Sequence, residues 1–163
     1  MKPCVPEIRF MVDHMVIKLG KYLRILGYDA FWDKKIRTHE LITRANAESR
    51  VFLTRNTHLG EQYPNPVAAF VLKQTDSVEQ VRAVVLEFQL DMRARLFSKC
   101  IRCNVMLVPV KDAETVRPLV HPNVFARHRE FFSCPKCHTV FWKGSHERRI
   151  FSRDDSSVSQ FDS

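Results

Sequence analysis

Glu7-Ile8-Arg9-Phe10-Met11-Val12-Asp13 reads as a short strand that is apolar enough to be buried and stops at an acid. From His14 the period of the pattern changes. Met15, Leu19, Tyr22, Leu23 and Leu26 recur at i, i+4, i+7, i+8 and i+11, the stripe of an amphipathic helix. Gly27 is placed to end that helix as its left-handed C′ residue. Gly20 lies inside the pattern, where it weakens the helix or admits the close approach of another backbone. Tyr28-Asp29-Ala30-Phe31-Trp32 then reads as a second strand, ending at Asp33.

The alternation continues. Thr38 caps a helix running through Glu40, Leu41, Ile42 and Ala45 to about Ser49. Val51-Phe52-Leu53-Thr54 forms a third strand, followed by Arg55-Asn56. A loop with Pro64-Asn65-Pro66 leads to a fourth strand, Val67 to Leu72. Asp76 or Ser77 starts a helix carrying Val78, Val81, Val85, Leu86 and Leu90. Strand–helix repetition with apolar strands predicts an α/β fold whose parallel sheet is covered on both faces. Ligands of such folds sit outside the carboxyl ends of the strands. Here those ends carry Asp13, Asp33, Arg55 with Asn56, and Lys73 with Gln74.

A second unit follows. Cys100-Ile101-Arg102-Cys103 and Cys134-Pro135-Lys136-Cys137 form two matched pairs separated by thirty residues. A Cys-x-x-Cys turn aims two thiolates at one ion, and two turns supply a complete tetrahedral sulfur shell. Zn²⁺ prefers that shell, and a shell closed by protein is structural rather than catalytic. Two disulfides are the alternative. His138 and His146 are not needed as ligands, and Cys4 and His39 have no evident partner.

The 163 residues hold 45% apolar side chains, enough for a real core. Lys and Arg number 26 against 18 acids, a net charge of +8 and an isoelectric point near 9.5. Such a balance favours a polyanionic partner, with nucleic acid first. No apolar run approaches the roughly 20 residues needed to cross a bilayer. No secretory signal is evident, and an odd fifth cysteine fits a reducing compartment. The expected location is therefore intracellular, cytoplasmic or mitochondrial, with no membrane partner.

Two groups of residues carry candidate chemistry. Asp13 and Glu40 can both face the mouth of the sheet, where paired carboxylates hold Mg²⁺ or Mn²⁺ together with substrate phosphate. Each also has a plainer role, Asp13 as a helix cap and Glu40 as a first-turn acid. The basic group comprises Lys18, Lys21 and Arg24 on the outward side of the first helix, and Arg55. It continues in Arg127 and Arg129 before the second cysteine pair, and Lys143 and Arg148 after it. Cations contact phosphate, and exposed rings stack on unpaired bases. Trp142 is expected to pack over the knuckle.

In combination these motifs resemble the PIN-like ribonuclease family named for the C-terminal region of the Mut-seven exonuclease. The likeness rests on Phe10-Met11-Val12-Asp13, Leu23-Arg24-Ile25-Leu26-Gly27-Tyr28-Asp29, Glu40-Leu41, Arg50-Val51-Phe52-Leu53-Thr54-Arg55-Asn56 and Lys99-Cys100-Ile101-Arg102-Cys103-Asn104. The second cysteine pair with Trp142-Lys143-Gly144-Ser145-His146 completes it. The resemblance implies a PIN-like, doubly wound parallel sheet (1–96) with an appended C-terminal zinc ribbon (97–151), followed by a polar tail (152–163). It also implies metal-dependent RNA cleavage by an acidic cluster. Asp13 and Glu40 match that cluster. The family's Asp after Thr-Arg is Asn56 here, a degenerate catalytic position, and the Asp before Glu-Leu appears as Thr38. An amide binds a hard dication far less strongly than a carboxylate. The sequence therefore reads as an RNA-binding component or assembly factor of a ribonucleoprotein with weakened or lost nuclease activity. An active ribonuclease is the alternative, and a DNA-directed or protein-binding adaptor is a third class.

Overall fold

The computed structural model describes residues 6–63 and 68–143. Four strands form one parallel sheet: β1 (Arg9–Val12), β2 (Asp29–Phe31), β3 (Val51–Thr54) and β4 (Ala69–Val71), in the spatial order β2-β1-β3-β4. Phe10 pairs with Ala30 on one side and Val51 on the other, and Leu53 pairs with Phe70. The helices α1 (Ile17–Ile25), α2 (Thr38–Ala47), α3 (Leu59–Gln62) and α4 (Ser77–Phe88) connect and cover the strands.

Both faces of the sheet are buried, as the continuous apolar strands require. Phe10, Val12 and Leu53 pack with Leu19, Leu23, Val81 and Val85 of α1 and α4. Met11 and Phe52, one residue out of phase, pack with Leu41, Ile42, Ala45 and Leu59 of α2 and α3. The chain leaves β1 toward β2 and then returns past it to β3. Its direction reverses between β1 and β3, and in parallel sheets that reversal opens the ligand crevice at the carboxyl edge.

The strand and helix expectations hold in type and order, with shifts at the ends and one short helix, α3, where a loop was expected. His14–Val16 is a 3₁₀ turn before α1 proper, so Met15 leaves the apolar stripe and is 57% exposed. Thr38 is the first helical residue of α2, not its cap. Arg37 occupies the cap, and the Glu40 carboxylate reaches back to accept from its backbone N–H at 3.1 Å. Asp76 does cap α4, accepting from the amides of Val78 and Glu79. Gly27 has φ +90° as expected, and a Cβ there would lie 2.2 Å from the Arg95 carbonyl oxygen. Gly20 admits the Trp32 side chain rather than a backbone. The Pro64–Pro66 loop, the start of the fourth strand at Val67 and the polar tail lie outside the described residues.

Beyond α4 the chain crosses the end of α1, where the Phe97 N–H donates to the Ile25 carbonyl. It then enters a small antiparallel sheet of β5 (Val108–Pro109), β6 (Phe132–Ser133) and β7 (Val140–Phe141). The span between the cysteine pairs also holds a 3₁₀ stretch, Ala113–Leu119, and α5 (Pro122–Arg127). Neither was legible in advance, because each is short and Pro118 and Pro122 read as loop punctuation.

Candidate functional site

The four cysteines converge. Sγ atoms of Cys100, Cys103, Cys134 and Cys137 all lie within 4.8 Å of one another. Cys100 and Cys137 are 3.7 Å apart, close to the roughly 3.8 Å between two sulfurs bound tetrahedrally at 2.3 Å to one zinc. All four are free thiols, so the two-disulfide alternative falls. The two turns repeat one design. Asn104 and His138, each following the second cysteine of its pair, have φ of +61°. Each donates its N–H to the carbonyl of the first cysteine at 2.9 Å. Amides of Cys103, Lys136 and Cys137 point at Cys100 and Cys134 sulfurs at 3.4 Å, as donors to thiolate do. Burial pushes the Cys100 thiol up to about 12. The Thr139 hydroxyl and amide pull Cys137 down to about 6. The residues present therefore fit a structural dication, with a donor set compatible with zinc.

One turn of this knuckle is bolted to the α/β domain by buried polar groups. Arg24, expected on an outward face for phosphate, is instead 4% exposed. Its register is the reason. Helix α1 is covered on one flank by the sheet and on another by Trp32 and the Cys100–Asn104 turn, so position 24 faces protein. Its guanidinium donates to the carbonyls of Ala30 at 2.8 Å, Ile101 at 2.7 Å and Arg102 at 3.2 Å. It also lies 3.5 Å from the ring centroid of Trp32. Burial lowers its pKa to about 10, so it stays charged at neutral pH. Beside it, Asn104 donates to Asp29 Oδ1 at 2.7 Å and accepts from the Ala30 N–H at 3.3 Å. That second bond satisfies the free edge of β2. Asp29 in turn accepts from both Nη atoms of Arg50, at 2.6 and 3.3 Å. Burial works against ionisation of Asp29, but the bonds from Arg50 and Asn104 overcome it and hold its pKa below the usual carboxylate range.

At the opposite, carboxyl edge of the sheet lie the strand-end residues. Asp13 closes β1 and is 5% exposed. Its Oδ2 accepts from the Thr54 hydroxyl at 2.6 Å, and its Oδ1 from the His14 N–H at 2.7 Å. Thr54 Oγ1 also accepts from the Asn56 N–H at 3.0 Å. Asp13, Thr54 and Asn56 are thus one hydrogen-bonded chain across the ends of β1 and β3. The Asn56 amide is occupied at both ends: Oδ1 accepts from the His58 N–H at 3.0 Å, and Nδ2 donates to Gln62 at 2.9 Å. Glu40 is exposed, its carboxylate turned to its own helix cap. Among the described residues, only the four cysteines gather three or more acids, histidines or cysteines. No third acid, histidine or cysteine therefore joins Asp13 and Glu40 among the described residues, and both carboxylates are engaged by protein donors.

Thr54 and His14 are the edge residues that sequence reasoning missed. In the case of Thr54 the available signal is a polar residue ending a buried strand beside an acid. His14 places Nε2 3.0 Å from the Asp33 carbonyl. Among the basic residues, Lys18, Lys21, Arg127, Arg129 and Lys143 are exposed, and Arg55 is half-buried with Nε unpartnered. Arg148 lies outside the described residues. Trp142 is half-buried, its ring 6.3 Å from that of His128.

Fold and site together define a nuclease-like α/β domain carrying a four-cysteine metal knuckle. The chain matches the Mut7-C RNAse domain over residues 8–153, and it belongs to that family. No curated protein and no solved structure matches it. No helix among the described residues is long and apolar enough to cross a membrane.

Proposed function

We propose that this chain is an RNA-binding protein of the family whose nuclease activity is weakened or lost, and that it works as a component or assembly factor of a ribonucleoprotein. One observation carries the reading. The position where the resemblance expects an acid holds Asn56, and that amide is spent on a turn. An amide brings no charge to a hard cation, and Asp13 has both oxygens engaged by protein donors. What survives is the scaffold, the +8 charge and exposed cations at Lys18, Lys21, Arg127, Arg129 and Lys143, with Arg55 at the strand end. Arg24 leaves the RNA-contact set because it is buried. The four cysteines hold zinc as a structural ion, in a compartment reducing enough to keep them as thiols.

The test pairs binding with cleavage. A labelled single-stranded RNA is titrated by fluorescence anisotropy against the natural chain and Asp13→Ala, across a salt series. Binding that weakens steeply with salt and is the same in both proteins is expected. Absence of binding at low salt removes the reading. Manganese-dependent cleavage by the natural chain that vanishes in Asp13→Ala establishes the active ribonuclease instead.

A further inference from the structure

The span between the two cysteine pairs contains a feature that neither the knuckle nor the strand-end residues use. Phe131 is 3% exposed, and the Phe125 ring stacks on it at 5.9 Å between centroids and 11° between planes. The Arg117 guanidinium lies 4.5 Å from the Phe125 centroid. Its own side chain is 61% exposed, so the cation over Phe125 is open to solvent while Phe131 is buried. Beside the stack opens a groove of about 580 Å³ lined by Arg117, Pro122, Phe125, Ala126 and Arg129. That volume lies within the roughly 300–1,000 Å³ of small-ligand pockets. No lining residue is acidic. Glu114 approaches from the side, holding Arg117 Nη2 at 2.8 Å.

The geometry points to a subsite for one nucleotide of single-stranded RNA, with the base laid on the Arg117–Phe125 stack and the phosphate held by Arg129. The chemistry of each part selects the ligand. A guanidinium plane backed by a ring presents a flat polarizable face, and bases of RNA stack on such arginines and aromatics. A second arginine at the rim of the same groove supplies charge for a phosphate. Arg127, exposed on the same short helix, extends the positive surface along which a strand can run. An acidic peptide would satisfy the two arginines, but its carboxylates offer no broad aromatic face to lie on Arg117 and Phe125. A duplex keeps its bases paired and offers only backbone. The subsite rests on the RNA-binding reading, yet it is separate from the strand-end residues, and its failure can be told apart from failure of that reading.

The experiment uses the full, zinc-loaded chain and a labelled ten-nucleotide RNA, its abasic counterpart, the matched duplex and a poly-glutamate decamer. Arg117→Ala should weaken single-strand binding about tenfold, in line with loss of one stacked base. Arg117→Lys keeps the charge and loses the plane. It should weaken the ordinary RNA several-fold while leaving the abasic strand unaffected. Glu114→Gln removes a competing carboxylate and should tighten RNA binding several-fold. Because a damaged fold cannot raise affinity, this variant guards against misreading a loss. Natural affinity in Arg117→Lys for the ordinary RNA overturns the subsite, as does an equal loss on the abasic strand. Tighter binding of poly-glutamate or duplex than of single strand also overturns it. If RNA binds well and Arg117→Ala and Arg129→Ala change nothing, only the subsite falls. If the natural chain binds no RNA, both readings fall.

Discussion

Removing the metal should be felt inside the α/β domain, and Arg24 sets how strongly. The Ile101 and Arg102 carbonyls sit in the turn that carries Cys100 and Cys103, so an ion held by those sulfurs would also fix two acceptors for Arg24. A net bond from a charged donor contributes about 1.5–3 kcal/mol. With one bond at 2.7 Å and one longer at 3.2 Å, the expected coupling between metal and Arg24 is about 3 kcal/mol, or roughly 150-fold in an equilibrium constant. A cycle isolates it: the natural chain and Arg24→Met, each with zinc and with chelator, unfolded in urea. Emission from Trp32, which stacks on Arg24, reports the α/β domain once Trp142→Phe has silenced the second tryptophan. Bonds from Asn104 are made or lost equally with and without the arginine, so they cancel in the double difference. Chelation should therefore destabilise the natural domain markedly and the Arg24→Met domain much less. A coupling under about 0.5 kcal/mol would show that the turn carbonyls are not tied to the ion, and the docking argument would be wrong.

Other consequences follow from single positions. Asn56→Asp restores a carboxylate next to the Asp13–Thr54 pair, and should raise Mn²⁺ affinity measured by calorimetry; unchanged affinity would mean that the Asn56 turn, not its lost charge, blocks the site. Gly27→Ala places a methyl 2.2 Å from the Arg95 carbonyl oxygen at φ +90° and should destabilise by more than about 2 kcal/mol in urea unfolding. Asp29, with its carboxyl held below its usual range, supplies stability that is full above about pH 4 and drains as pH falls through its folded pKa. In the presence of chelator, the stability difference between natural chain and Asp29→Asn should shrink on that acid limb and be flat at neutral pH; a constant difference would place no charge on the Arg50 partner.

The sheet was readable because its strands are short, apolar and interrupted by acids, and because the helix between the first two strands keeps one clean stripe. Val51–Thr54 was legible to the residue. The cysteine pairs were legible because their spacing is set by the geometry of a sulfur shell. What escaped reading depended on contacts distant in sequence. Arg24 looks like a surface cation in any helical projection, since nothing local announces that a turn 77 residues later supplies its acceptor. Thr54 likewise gains its meaning only when β1 and β3 pair side by side. Phe125 and Arg117 belong to a segment with no period at all, so their stack is invisible until the chain folds.

The motifs that mark the family therefore divide by place. Arg24, Asp29, Arg50 and Asn104 belong to the docking of the knuckle and to the amino ends of the strands. Asp13, Thr54 and Asn56 belong to the carboxyl edge. At the carboxyl edge the amide of Asn56 closes its own turn without a carboxylate, so that position tolerates loss of charge, whereas Asp13 is buried and bonded twice. The docking residues have no such freedom: each makes hydrogen bonds to at least two residues of the protein, several of them backbone groups, and an unpaired buried partner costs about 1–3 kcal/mol. On the proposed reading, a chain that gives up charge at Asn56 and keeps the docking residues retains its shape and its four-sulfur cluster while cleavage weakens. That asymmetry follows from hydrogen-bond satisfaction alone, and it makes a binding role the physically easier path for a nuclease scaffold to take.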